Sequence, residues 1–236
     1  MKYFTKGEKL LWAVSAAAVI GSFVLFDRTN WLTLTASLVG VTSLLFNAKG
    51  NPIGQVLMVL FSLMYGIISW QAQYYGEMIT YLGMTMPMAV FALVAWLRNP
   101  FGGNRAEVTV NRIGRGEWLI CAILTVSITL LFYFVLRAFH TQQLFFSTLS
   151  VTTSFAAVYL TWRRSPLFAV AYAANDIVLI VLWCLASAQD RSCLSVVVCF
   201  AAFLANDIYG YLSWQRMARR QAAAQQDCTV WPKRPE

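Results

Sequence analysis

Apolar runs long enough to cross a lipid bilayer recur through this 236-residue chain, and they leave few folds open. They fall at 10–26, 30–47, 52–70, 77–97, 117–136, 143–162, 166–187 and 192–214. About 20 such residues span the hydrocarbon core, where each backbone N–H and C=O must be satisfied inside its own segment, which demands helices. The predicted fold is therefore an all-α membrane protein with eight transmembrane helices. Composition agrees: 59% of residues are hydrophobic and 12% charged, against about 25% charged in soluble domains. The net charge of +8 does not mark a nucleic-acid binder, because basic residues flank the apolar runs and form no patch interleaved with aromatics. Five cysteines form no CxxC pair and His140 is the only histidine, so neither a metal site nor a cofactor is expected.

The first run lacks a small-x-small cleavage site, and removing it would leave an odd number of spans. It reads as an extra N-terminal helix rather than a signal peptide. With the N-terminus inside, inner segments hold fifteen of the eighteen Lys and Arg residues and outer ones only Arg28, Arg137 and Arg191. Both termini are thus expected in the cytoplasm. The loop at 98–116, with its FGGN turn signal, reads as an exposed linker. The tail after Trp214 reads as a basic helical end that becomes polar and irregular. A repeat is visible at an offset of 114 residues: Lys49 falls on Arg163, Pro52 on Pro166, and Trp70 and Trp183 agree within one. The expected divisions are an extra helix (1–29), a first three-helix repeat (30–97), a loop and crossover helix (98–142), a second three-helix repeat (143–215) and a tail (216–236). A single linking span makes the repeats parallel, and transporters built this way hold substrate at the repeat interface near mid-depth.

Two carboxylates stand inside the last two runs, Asp176 in AYAANDIVLIVLW and Asp207 in LANDIYGYLSW. A carboxylate at that depth costs roughly 2.5–3.5 kcal/mol on insertion scales, and neither run supplies a Lys or Arg to neutralise it. Helical spacing groups Tyr172, Asn175, Asp176 and Trp183 on one face, and Asn206, Asp207 and Tyr211 on another. Such faces offer rings to sandwich a flat heterocycle, an amide for its polar edge, and a carboxylate for a cation or ribose hydroxyls. Tyr65 adds a ring from the first repeat. The competing reading is glue between helices, worth about 0.6 kcal/mol per bond. It stays open for Asn175 and Asn206, whereas an unpaired carboxylate is too costly for glue. Trp70, Trp96, Trp162 and Trp214 read as an interfacial belt. Glu77 reads as the N-terminal acid of the fourth span. No nucleophile–His–carboxylate set, P-loop, GxGxxG or HExxH is present, so an enzyme is not expected.

The ending ANDIYGYLSW resembles the IYGYxxW ending of the PnuC family of vitamin transporters, and YGIISW, QYYGEM and MPM resemble that family's first-repeat pattern. The resemblance covers roughly residues 30–216. It implies a SWEET-like 3+1+3 facilitator for the vitamin nicotinamide riboside, homotrimeric in the inner membrane, with a cytoplasmic kinase trapping the substrate by phosphorylation. Nicotinamide riboside members of that family carry WxxWxxxN in the matching span. Here Asn175 matches the asparagine, but Phe168 and Ala171 stand at the tryptophan positions, and a first-repeat asparagine falls at Phe61. Relatives with altered motifs take thiamine, riboflavin or deoxynucleosides. Two midplane carboxylates favour a cation, so nicotinamide riboside is expected. Asn175 would read its amide or ribose, Asp176 or Asp207 would face the pyridinium, and Tyr172, Trp183 and Tyr211 would stack. The alternatives are a facilitator for thiamine, riboflavin or a deoxynucleoside, an ion-coupled carrier using Asp176 and Asp207, and a membrane-embedded structural protein.

Overall fold

The computed structural model describes residues 3–141 and 143–230. Lys2, Lys233 and Arg234 of the charge balance, and the last six residues of the expected tail, lie outside these. The described residues form eight helices: α1 (Lys6–Phe26), α2 (Trp31–Asn47), α3 (Ile53–Gln71), α4 (Tyr75–Arg98), α5 (Arg115–Ala138), α6 (Leu144–Trp162), α7 (Phe168–Ser187) and α8 (Leu194–Val230). Seven are long and apolar enough to cross a membrane, and α2 is shorter at 17 residues.

Local chemistry sets the ends. Thr5 and Glu8 close a capping box that starts α1, and the Asn30 side chain accepts from Thr33 N–H to start α2. The turns after α2 and α6 are built alike. Gly50 and Arg164 each take a left-handed conformation, and Asn51 and Ser165 each donate their N–H back to Phe46 and Leu160. The Asn51 and Ser165 side chains then accept from Ile53 and Leu167 N–H. Every one of these pairs lies 114 residues apart. Within α4 a π-helical turn spans Tyr81–Thr85, with Met86 N–H reaching back to the Tyr81 carbonyl. Pro87 follows at once; it has no N–H to give the preceding turn, and the wider π turn absorbs the mismatch.

Six helices close into a ring, each packed on the next: α2, α3, α4, α6, α7, α8 and back to α2. α1 lies outside against α8 and α2, and α5 outside against α6. The main core sits within this ring, around Phe61, Tyr65, Leu179, Trp183 and Phe200.

Three expectations change. The 98–116 loop is no free linker: β1 (Pro100–Phe101) and β2 (Asn104–Val108) pair as an antiparallel hairpin, and Val108 is buried. Its backbone docks on both similar turns, Val108 N–H to Gly50 O and Asn111 N–H to Arg164 O. The tail continues α8 as helix to Val230, because Gln221 is buried there, its side chain bonded to Val110 N–H, Val108 O and Glu107. Trp96 and Trp214 do not belong to a belt. Both are buried, ring to ring at 5.5 Å, where an indole N–H needs an acceptor; Trp96 donates to Thr161 O and Trp214 to Asn47 O. Trp70 and Trp162 stay exposed.

Candidate functional site

The ring encloses a small cavity near mid-depth, about 20 Å³ in this conformation. That is room for about one water molecule. α7 brings Tyr172, Asn175 and Asp176 to it, α8 brings Asp207 with Phe200 and Phe203, and α6 adds Ser154. The first half contributes Leu44, Met58, Phe61, Tyr81 and Thr85. Residues from both halves therefore meet across one space.

Its polar groups are fixed by geometry. Asn175 Oδ1 accepts from Thr153 and Ser154 hydroxyls at 2.9 and 3.0 Å, which orients the amide. Asp176 and Asp207 face one another within hydrogen-bonding reach, and both are buried. A hydrogen bond between two carboxyl groups needs one proton between them. Asp176 Oδ2 has no partner, nor have the buried hydroxyls of Ser62 and Thr85. No Lys or Arg lines the space. The remaining walls are aromatic: Phe61 lies 5.3 Å from Phe203 and stacks on Tyr65 at 5.5 Å. Gly40 makes room for this, since a Cβ there would come within 2.2 Å of the Phe203 ring.

The sequence-read residues separate into groups. Tyr172, Asn175, Asp176 and Asp207 share the cavity. Tyr65 and Trp183 form a lid beside it: Trp183 Nε1–H donates to Tyr65 Oη at 2.5 Å, and Tyr65 touches Phe61, Tyr81 and Phe200. The far side of Trp183 borders a hollow of about 160 Å³ with Asp27, Asn30 and Asp190 at its rim. Asn206 turns away to α1, donating to Ser15 Oγ at 2.9 Å and to Ala202 O. Tyr211 packs in the cluster of Trp96, Phe168 and Trp214 at the opposite end of the ring. Glu77 stands in the first turn of α4, as expected of it, but it is also buried, and its Oε1 accepts from Ser150 Oγ at 2.9 Å. Its one signal in the sequence is its position four residues ahead of Tyr81, which puts the two on one helical face. Cys121, Cys184, Cys193 and Cys199 are free.

A family model described as nicotinamide mononucleotide transporter matches residues 30–216. The chain is similar to the nicotinamide riboside transporter PnuC of Neisseria mucosa, at 23% identity over 216 residues that make up 90% of this chain and 82% of the relative. It is also similar to the nicotinamide riboside transporter PnuC of Haemophilus influenzae, at 23% identity over 81% of this chain and 82% of that one. In fold it matches the crystal structure of the vitamin B3 transporter PnuC, with a TM-score of 0.82 at 20% identity over 94% of this chain and 95% of that chain.

Proposed function

The chain belongs to the nicotinamide mononucleotide transporter family, and from that membership we propose that it is a facilitator carrying nicotinamide riboside across the cytoplasmic membrane. The observation that carries the reading is the central cavity, where an oriented amide, a facing carboxyl pair and aromatic walls converge from both halves of the ring. Nicotinamide riboside is a flat cation with an amide and ribose hydroxyls. Asn175 meets its amide or ribose, Tyr172 and Phe61 take its ring faces, and Asp176 with Asp207 offsets the pyridinium charge. Phe61 and Phe203 supply the clamp that tryptophans at 168 and 171 would give elsewhere in the family. The names of the relatives support the substrate class.

The same turn geometry at 114-residue spacing, and the reciprocal Trp96 and Trp214 ties, support a parallel 3+1+3 SWEET-like repeat with α1 outside it. At 1.5 Å per residue the 17 residues of α2 reach about 26 Å, enough for an eighth span with slight thinning of the bilayer. Lys and Arg distribution supports cytoplasmic termini, with the hairpin, Lys49 and Arg163 at the inner end and Asp27 and Asp190 at the outer. The exposed apolar side of α5, including Leu119, Ile123, Leu130 and Phe134, faces lipid or the next subunit of a homotrimer. A cytoplasmic kinase then traps the substrate by phosphorylation, because the product carries a phosphate the cavity has no cation to meet.

Uptake into liposomes containing only the purified protein tests this, with nicotinamide riboside, thiamine, riboflavin and a deoxynucleoside compared under no gradient but their own. Saturable entry of nicotinamide riboside that stops at equal concentrations is the expected outcome. Entry of another vitamin alone would overturn the substrate. A second reading, a proton-coupled carrier, is favoured by two carboxyls buried at one cavity with no Lys or Arg lining it; it demands that entry cease without a proton gradient.

A further inference from the structure

Glu77 has no role in the central cavity, yet its burial demands one. Its residue is 1% exposed, and Oε1 has a single partner, Ser150, while Oε2 has none. The ion pairs among the described residues involve Glu8, Glu107 and Glu117, so no Lys or Arg compensates Glu77. A position near the start of α4 favours negative charge through the helix dipole. That explains an acid at this end of the helix, but not a buried one with an oxygen left bare.

Its placement is informative. On α4, Glu77 lies one turn before Tyr81, and Tyr81 lines the cavity. On α6, its partner Ser150 lies one turn before Ser154, which lines the cavity and holds Asn175. Both helices run inward from this end, so the Glu77–Ser150 contact repeats the wall of the cavity about 5.4 Å further out. Ser69 Oγ, near the same end of α3, is likewise buried without a partner. Resting on the reading of a cationic nucleoside as substrate, we propose that Glu77 is a second cation station, met by the pyridinium on its way between the outer hollow and the Asp176–Asp207 pair.

The test uses the full chain in liposomes and two forms of one substrate: nicotinamide riboside, a cation, and its reduced dihydro form, which is uncharged. Glu77→Gln keeps shape and hydrogen-bonding capacity and removes the charge. The expected result is an about tenfold higher KM for the cation, equivalent to about 1.4 kcal/mol, with kcat little changed and the neutral form unaffected. An equal loss for both forms would make Glu77 a structural residue and overturn the proposal. Wild-type protein that moves neither form would instead overturn the nucleoside reading, and the station with it. A second measurement does not depend on the folding of Glu77→Gln: equilibrium binding to the Asp176→Asn/Asp207→Asn double variant. A remaining preference for the cation over its neutral form is expected there, and complete loss of that preference would sink the station.

Discussion

Asn206 and Asp207 are neighbours in sequence with opposite surroundings. Successive residues on a helix point about 100° apart, so the two cannot serve one cavity equally. Asp207 takes the cavity, and Asn206 is left to Ser15 on α1, a helix that lies wholly outside the matched family region. Asn175 and Asp176 escape this division because the hydroxyls of Thr153 and Ser154 meet the amide where α6 borders the same space. The expected outcomes differ accordingly. Asn175→Ala should raise the KM for uptake by about tenfold or more, because it leaves a substrate polar group unpaired. Asn206→Ala should leave KM unchanged and lower thermal stability by the value of one buried bond, about 1 kcal/mol. Uptake kinetics and melting of the two variants check both; a KM effect in Asn206→Ala would return that residue to the site. Asp176, Asp207 and Asn175 were legible in sequence because charge and amide inside an apolar run are expensive. Glu77 was not, since its run begins at that residue and an acid at a helix start has an ordinary explanation.

At the scale of elements, the apolar runs located the eight helices of the described residues, seven of them long and apolar enough to cross a membrane, because long apolar runs must satisfy their backbone groups as helices. What it could not locate is structure outside the hydrocarbon. The 98–116 stretch is polar and rich in turn residues, and these same features suit a hairpin whose backbone groups are satisfied by the turns it covers. The bonds that settle the matter come from Gln221, more than a hundred residues away, in a segment whose composition reads as tail. Gln221→Ala should release the hairpin while leaving the membrane part intact. Losing about 1–1.5 kcal/mol of hairpin attachment corresponds to about five- to tenfold faster trypsin cleavage after the exposed Arg105, with uptake kinetics preserved. Unchanged cleavage would mean that Val108 and its bond to Gly50 suffice.

For the whole molecule, the decisive feature is closure of the cavity from both ends by the two halves together. At the end of the ring near Asp27 and Asp190, Tyr65 of α3 accepts from Trp183 of α7, with Tyr74 against the indole at 5.1 Å. At the end under the hairpin, Trp96 and Trp214 lie ring to ring, Phe168 meets Trp214 at 4.9 Å, and each indole is tied to a carbonyl of the opposite half. Alternating access by the proposed facilitator, in the proposed orientation, requires these plugs to loosen one at a time, so weakening either should bias the protein toward opening on that side alone. Tyr65→Phe removes the acceptor for Trp183, and Trp96→Phe removes the donor to Thr161, each a loss of about 1 kcal/mol or an about fivefold shift in the open population. Thr85→Cys, at a position that lines the cavity, reports this once the five native cysteines are replaced by serine. Tyr65→Phe should speed its reaction with an impermeant maleimide from the outside only, and Trp96→Phe from the cytoplasmic side only. Acceleration from both sides in either variant would mean that the aromatic clusters hold the ring together without gating it, and the six helices would have to open through some other contact.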